Sequence, residues 1–185
     1  MSDCPCPPLY TRRLLLQPLT TNDASAFQAL FAQWEMVRYL THLVPWPYPE
    51  GEALRYIRDI ALPAVADGEE WHWTLRLREE PNQVIGVICV MDEPGNNRGF
   101  WLGQQWQRRG LMTEACAAAT QFWFQTLQRP LMQVAKAQIN EASRRISKRE
   151  GMRMIERSED HFVCGPMEQE VWEITREEWL RLHTP

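Results

Sequence analysis

The longest apolar stretch in the chain, residues 84–91 with Gly86 inside it, falls well short of the ~18 residues that a membrane-spanning helix needs. No membrane association is expected. The amino end, Met1-Ser2-Asp3-Cys4-Pro5-Cys6-Pro7-Pro8, carries neither the basic start nor the apolar stretch of a secretion signal, so a cytoplasmic protein is expected. Excess positive charge is also missing. A formal net charge of -4 argues against a general nucleic-acid binder, which must displace counterions from phosphates with a basic surface. The cysteines are few and scattered at 4, 6, 89, 116 and 164, an odd number with neither the spacing of a disulfide framework nor that of a four-ligand zinc site. No metal is expected, and Cys4 and Cys6 read as exposed thiols on a frayed end. Tyrosine is absent after Tyr56, which matters for the chemistry below.

What remains is the composition of an ordinary globular domain: 185 residues, 44% hydrophobic, nine tryptophans and 24% charged. One domain over 12–185 is expected, behind a flexible extension over 1–11. Residues 13–19 read as a strand closed by Pro18, and Thr20 to Asp23 offer caps for a helix carrying Phe27, Leu30, Phe31 and Trp34. A second short helix is expected over 35–40. Residues 50–66 follow helical spacing, with Leu54, Ile57, Ile60, Ala61 and Val65 as an apolar face and Pro63 as a candidate kink. Strands are expected over 71–78 and 83–91, joined by a turn at 79–82, and again over 99–103 and 131–139. A helix over 141–150, capped by Asn140 and ended by Gly151, leads to strands over 152–157, 161–164 and 168–175. Thr175-Arg176-Glu177-Glu178 is a capping box that opens a last helix.

The chain is organised around Gln107-Arg108-Arg109-Gly110-Leu111-Met112-Thr113-Glu114-Ala115. It lies between the strand ending in Phe100-Trp101-Leu102-Gly103 and a helical pattern carrying Met112, Ala115, Cys116, Ala119, Phe122 and Trp123. Such a junction suits an anion, because the first-turn N–H groups lack intrahelical partners and the helix dipole is positive there. Gly110 lets the backbone come close, and Arg108 and Arg109 add charge. Neither the three-glycine dinucleotide fingerprint nor the Gly-Lys-Ser/Thr ending of a P-loop is present.

The loop resembles the Gln/Arg-x-x-Gly-x-Gly/Ala motif of the GNAT superfamily of acetyl-CoA-dependent N-acetyltransferases, with Gln107, Gly110 and Met112 at the defining positions. Together with Gly99-Phe100-Trp101-Leu102 before it, Thr113-Glu114-Ala115 after it and Asn140-Glu141-Ala142-Ser143-Arg144-Arg145 downstream, it is similar to the branch that includes ribosomal-protein N-terminal acetyltransferases. The resemblance implies an α/β (α+β) GNAT fold, with a mixed central sheet of about seven strands, flanking helices and an N-terminal helical pair. It implies acetyl-CoA as co-substrate and an amine acceptor as partner. The pyrophosphate would lie on the backbone of Arg108, Arg109, Gly110, Leu111, Met112 and Thr113, with Gln107 and Asn140 also at the coenzyme site. The backbone of Phe100 and Leu102 would pair with the pantetheine arm.

Three departures from the family pattern bear on mechanism. Met112 replaces the usual second Gly or Ala, no Glu stands before Gly99 to serve as base, and no tyrosine follows the helix start to protonate the thiolate. Ser143 is the candidate donor to the sulfur; as a first-turn helix serine it could equally cap locally. Without a strong base, an α-amine (pKa roughly 7.7–8.0) is favoured over a lysine (about 10.4). Glu69, Glu70 and His72 could act as bases through water, or be plain strand-end acids and a core histidine. Trp46 and Tyr48, held on the stiff segment Val44-Pro45-Trp46-Pro47-Tyr48-Pro49, could form an acceptor wall or merely cover the core. The acceptor stays open between a peptide N-terminus and a small-molecule amine, amino acid or antibiotic. So does a catalytically idle acyl-CoA-binding module, and so does homo-oligomer formation.

Overall fold

The computed structural model describes residues 6–183. Eight strands form two sheets. The first has β1 (Leu9–Tyr10), β2 (Leu14–Pro18), β3 (Glu70–Leu77), β4 (Gly86–Met91) and β5 (Arg98–Leu102) in sequence order, every neighbour antiparallel. The second has β6 (Leu131–Ala137), β7 (Arg153–Phe162) and β8 (Gly165–Thr175) in the order β6-β8-β7. The mixed α/β class is as expected, and the sheet is split where β5 meets β6. There Asn97 N–H bonds Gln133 O at 2.6 Å, and the next rung is met by a side chain, Ala135 N–H donating to Asn96 Oδ1 at 3.3 Å. Beyond that crotch the two strands part.

One face of the first sheet packs Leu14, Leu16, Trp71, Trp73, Leu75 and Ile88 against α5 (Leu111–Gln121), in a cluster that continues to Trp172, Ile174 and Trp179 of the second sheet and α7 (Arg176–His183). A shared core unites the two sheets. The other face carries α1 (Ala24–Phe31), α2 (Trp34–Val37) and α3 (Glu52–Tyr56), with Phe27 and Phe31 both packed on Trp101. The capping box at Thr175 is present: Glu178 N–H donates to Thr175 Oγ1 and Thr175 N–H to Glu178 Oε2.

Four sequence expectations need correction. The stretch expected to be flexible over 1–11 is structured where it is described: β1 pairs with β2, Trp73 Nε1–H donates to Pro7 O, and the thiol of half-buried Cys6 donates to the His72 carbonyl. Cys4 lies outside the described residues. The helix expected over 50–66 is broken into α3, a π turn (Ile57–Ala61) and α4 (Leu62–Asp67), because Pro63 has no N–H to continue the ladder and Leu62 N–H reaches back to Ile57 O. Ala53, Ile57 and Ala61 are buried, while Leu54, before the π turn, and Ile60, within it, are exposed. The second helix is only the single turn α2. Finally, the three strands expected after Gly151 are one long hairpin, β7 and β8, turning at Val163-Cys164 into Gly165 with φ 114°.

Candidate active site

After β5 the chain makes a 3₁₀ turn (Gln104–Trp106), then reaches Arg108 and Gly110, both left-handed at φ 60° and 75°. Two left-handed residues so close together curl the backbone into a concave row of N–H groups that opens onto the start of α5. Gly110 is suited to this conformation; Arg108 adopts it against its preference. The first helical bond is Glu114 N–H to Gly110 O, so the N–H groups of Leu111, Met112 and Thr113 have no intrahelical acceptor. Met112 turns its side chain into the core at 8% exposure, which means the departure from Gly or Ala does not crowd the loop.

Side chains hold this loop from behind. Gln107 Nε2–H donates to Leu102 O at 2.8 Å, so its amide staples the loop to β5 and occupies one of the carbonyls expected to pair with a pantetheine arm. Arg13 donates from Nη1 to Arg109 O (2.8 Å) and from Nε to Glu114 Oε2 (2.7 Å), and Thr11 Oγ1 donates to Glu114 Oε1. Partial burial works against ionisation of Glu114, but the bonds from Thr11 and Arg13 outweigh it and hold its pKa below the usual carboxylate range. Sequence reading missed Arg13, which lies far away in the chain.

The edge of β5 is set by pairing parity. Met91 N–H bonds Asn97 O and Gly103 N–H bonds Ile85 O, so Gly99 and Trp101 face β4 while the backbone groups of Phe100 and Leu102 turn to the gap beside β6. Across that gap stands α6 (Glu141–Arg149), whose first turn brings Asn140 and Ser143 together: Asn140 Oδ1 accepts from Ser143 N–H at 3.2 Å. Ser143 is 9% exposed. Beneath it lies Lys136, which reaches Ser147 Oγ and, at 3.5 Å, the Ser143 carbonyl. Burial, reinforced by Arg98, pushes the Lys136 pKa down to about 7.

Asn97 occupies the position, two residues before Gly99, where a carboxylate base was sought, and its neighbour Arg98 opens β5. Arg98 is buried, in a bidentate pair with Glu150 (2.7 Å twice) that also binds Thr120, and so ties β5, α5 and the end of α6 together. Buried ion pairs of this kind specify geometry more than they add stability.

On the α1 face, residues 38–42 cross to the tip of the β7–β8 hairpin. Val163 N–H bonds Leu40 O, Cys164 N–H bonds Arg38 O and His42 N–H bonds His161 O, all at 3.0–3.1 Å. This strap is a second bridge between the sheets. Glu35, Arg38, Gln104, Gln107 and Arg108 line a cleft of about 350 Å³ between α2 and the loop. The proline-rich loop packs beside it. Tyr48 sits on Phe31 (ring centroids 5.0 Å apart), half-buried with its pKa pushed up to about 12 by that burial, whereas Trp46 is 41% exposed and rests on Trp34. Trp34 and Arg38 are one helical turn apart, so the Trp34–Trp46 pair stands at the cleft rim. Of the strand-end candidates, Glu69 is exposed, while Glu70 and His72 are hydrogen-bonded to each other.

The sequence profile of the acetyltransferase (GNAT) domain matches residues 13–153. No curated protein matches the chain. Among solved structures, RimL, the ribosomal L7/L12 alpha-N-protein acetyltransferase in complex with coenzyme A, superposes with a TM-score of 0.77 at 15% identity, covering 91% of this chain and 98% of that one. An acetyltransferase that modifies the N-terminal serine of ribosomal protein L7/L12 in Salmonella typhimurium gives 0.74 at 14%, covering 89% and 96%. A GNAT-family acetyltransferase from Bacillus anthracis gives 0.73 at 17%, covering 93% and 100%. At these identities the structures speak to the fold, and the match over most of the chain speaks to the family. The chain belongs to the acetyltransferase (GNAT) domain family and is an N-acetyltransferase.

Proposed function

We propose that this protein moves an acetyl group from acetyl-CoA directly to the α-amine of a peptide or protein N-terminus. The observation that carries the coenzyme half is the concave N–H row from Arg108 to Thr113 at the end of a strand whose next edge, at Phe100, is unpaired. A pyrophosphate on that row accepts several backbone hydrogen bonds at once, and the pantetheine arm extends β5 as an added strand. The thioester then lies toward the crotch between β5 and β6, where the N–H of Phe100 can bond the developing oxyanion. Ser143, at the start of α6 across the gap, donates a proton to the departing thiolate.

The α-amine follows from the acid–base inventory. With Asn97 rather than a carboxylate at that strand position, an α-amine at roughly 7.7–8.0, which needs less help to lose its proton, fits better than a lysine at about 10.4. The RimL and Salmonella relatives act on ribosomal-protein N-termini, the same acceptor class. Thiol release from acetyl-CoA is to be measured across peptides of varied N-terminal residue, their Nα-blocked forms and a panel of small amines. Turnover that requires a free peptide N-terminus supports the proposal. Turnover confined to small amines overturns the acceptor assignment, and binding of acetyl-CoA without any turnover would mean an idle acyl-CoA module.

A further inference from the structure

The first sheet carries a histidine that the scheme above leaves unused. His72 on β3 is opposite Cys89 on β4, and Cys89 is opposite Gly99 on β5, so the three form one row on the face shared with Trp101 and α3. Along that row the side chains shrink from imidazole to thiol to none. A Cβ on residue 99 would stand 3.2 Å from Cys89 Sγ, so the glycine leaves room for the thiol, which donates to the Gly99 carbonyl at 3.6 Å. The row ends one residue before Phe100, at the edge where the thioester is placed.

The His72 side chain is 1% exposed, and its Nε2 lies 2.5 Å from Glu70 Oε2. A carboxylate can only accept, so Nε2 carries the proton and Nδ1 presents a lone pair. That Nδ1 is buried and has no hydrogen-bond partner among the described residues. A buried polar atom left unpaired works against stability and calls for an explanation, and a proton acceptor kept ready is one. The one positive charge on that face of β3, Arg76, bonds Thr74 beside His72 and is paired with Asp23. Cys89 is neutral, its thiol pushed up to about 12 by burial, and Tyr56 of α3, whose ring lies 6.3 Å from the imidazole, is likewise kept neutral by burial. Glu70, Glu93 and Tyr48 complete the set within electrostatic reach of these two.

We propose that His72 is the proton acceptor for the incoming amine, acting through water along the His72–Cys89–Gly99 row, with Glu70 fixing the imidazole tautomer. The inference rests on the reading of this site as one of acetyl transfer to an amine. The ammonium gives one proton to a water in the row, and that water gives one to Nδ1. The neutral amine then forms the C–N bond as the C–S bond breaks, and the thiolate takes its proton on the other side of the gap. The imidazolium, stabilised by the Glu70 carboxylate at Nε2, gives its Nδ1 proton back through the same water to solvent once the product has left, which restores the lone pair.

The test compares two acceptors, a peptide α-amine and a hydroxylamine-type amine that is already neutral at the assay pH. His72→Gln keeps a donor toward Glu70 and removes the Nδ1 lone pair. The expected result is a kcat lower by about 10²-fold for the peptide, a low-pH limb of its kcat/KM profile moved up to the pKa of the amine itself, and a near wild-type rate for the neutral amine, with CoA affinity unchanged in calorimetry. Glu70→Gln, on a partly exposed side chain that the fold tolerates, should show a smaller loss with the same dependence on acceptor. Equal losses for both amines, or a wild-type pH profile in both variants, overturn the role of His72 while leaving acetyl transfer standing. A wild-type protein that releases thiol with neither amine overturns the reading of the site, and this role with it.

Discussion

Between Gly103 and Thr113 the chain is shaped mainly by its own short-range geometry: a 3₁₀ turn, two left-handed residues and a helix start, with the Gln107 amide bonded back five residues to Leu102. Between Arg38 and Pro49 the ordered features depend on distant partners. Leu40 and Arg38 accept from Val163 and Cys164, Tyr48 leans on Phe31, and Gln28 Nε2–H donates to Pro49 O. On the proposed reading, the first region grips the coenzyme and the second borders the acceptor. A locally coded loop can keep one function through large sequence change, whereas a wall assembled from separated segments changes with each of them.

The largest expected break falls on the local side. At φ 75°, Gly110→Val forces a β-branched residue into the left-handed region, although space for its Cβ exists, the nearest atom being Arg13 Nη2 at 3.5 Å. CoA affinity should drop by about 10²-fold or more, since the N–H row cannot keep its curl, while circular dichroism stays native. Unchanged affinity in calorimetry would remove the loop from the coenzyme site. Next comes Ser143→Ala, for which kcat should fall by about 10²-fold with acetyl-CoA KM little altered, the behaviour of a lost proton donor. A normal kcat would return Ser143 to a purely local role beside Asn140. The smallest effect is on the assembled side. Trp46→Ala should raise acceptor KM several-fold, by about 1 kcal/mol of lost contact, and leave acetyl-CoA KM and Tm nearly unchanged, because Trp46 is 41% exposed and rests on Trp34, itself at the surface. A lower Tm with unaltered acceptor KM would assign the loop to packing and erase the contrast between the two regions.

Legibility followed the same division. The strand ending in Phe100-Trp101-Leu102, the turn at Gly110, the buried face of α5 and the Thr175 capping box were all readable, because each is coded by residues within one or two turns of one another. The hairpin β7–β8 was not read as such. Ser158, Glu159 and Asp160 look like a break in sequence, yet they pair in register with Gln169, Glu168 and Met167 once the partner strand is alongside. Leu54 and Ile60 sit at helical spacing with Ile57 and Ala61, yet packing in the cluster with Val87 and Trp101 takes up Ala53, Ile57 and Ala61 and leaves those two exposed.

By itself, then, the sequence determined the family, the order of elements and the left-handed turn at Gly110, since backbone conformation there depends mainly on near neighbours. Only the tertiary structure decided which charged groups are buried together. Arg98 and Glu150, 52 residues apart, meet under the gap, Arg13 and Glu114, 101 apart, brace the loop, and residues 38–42 tie to the hairpin tip. Tertiary structure also decided that His72 keeps one nitrogen paired and one bare. Such pairings arise from sheet register and helix packing, which bring together positions that no periodicity in the chain relates to one another.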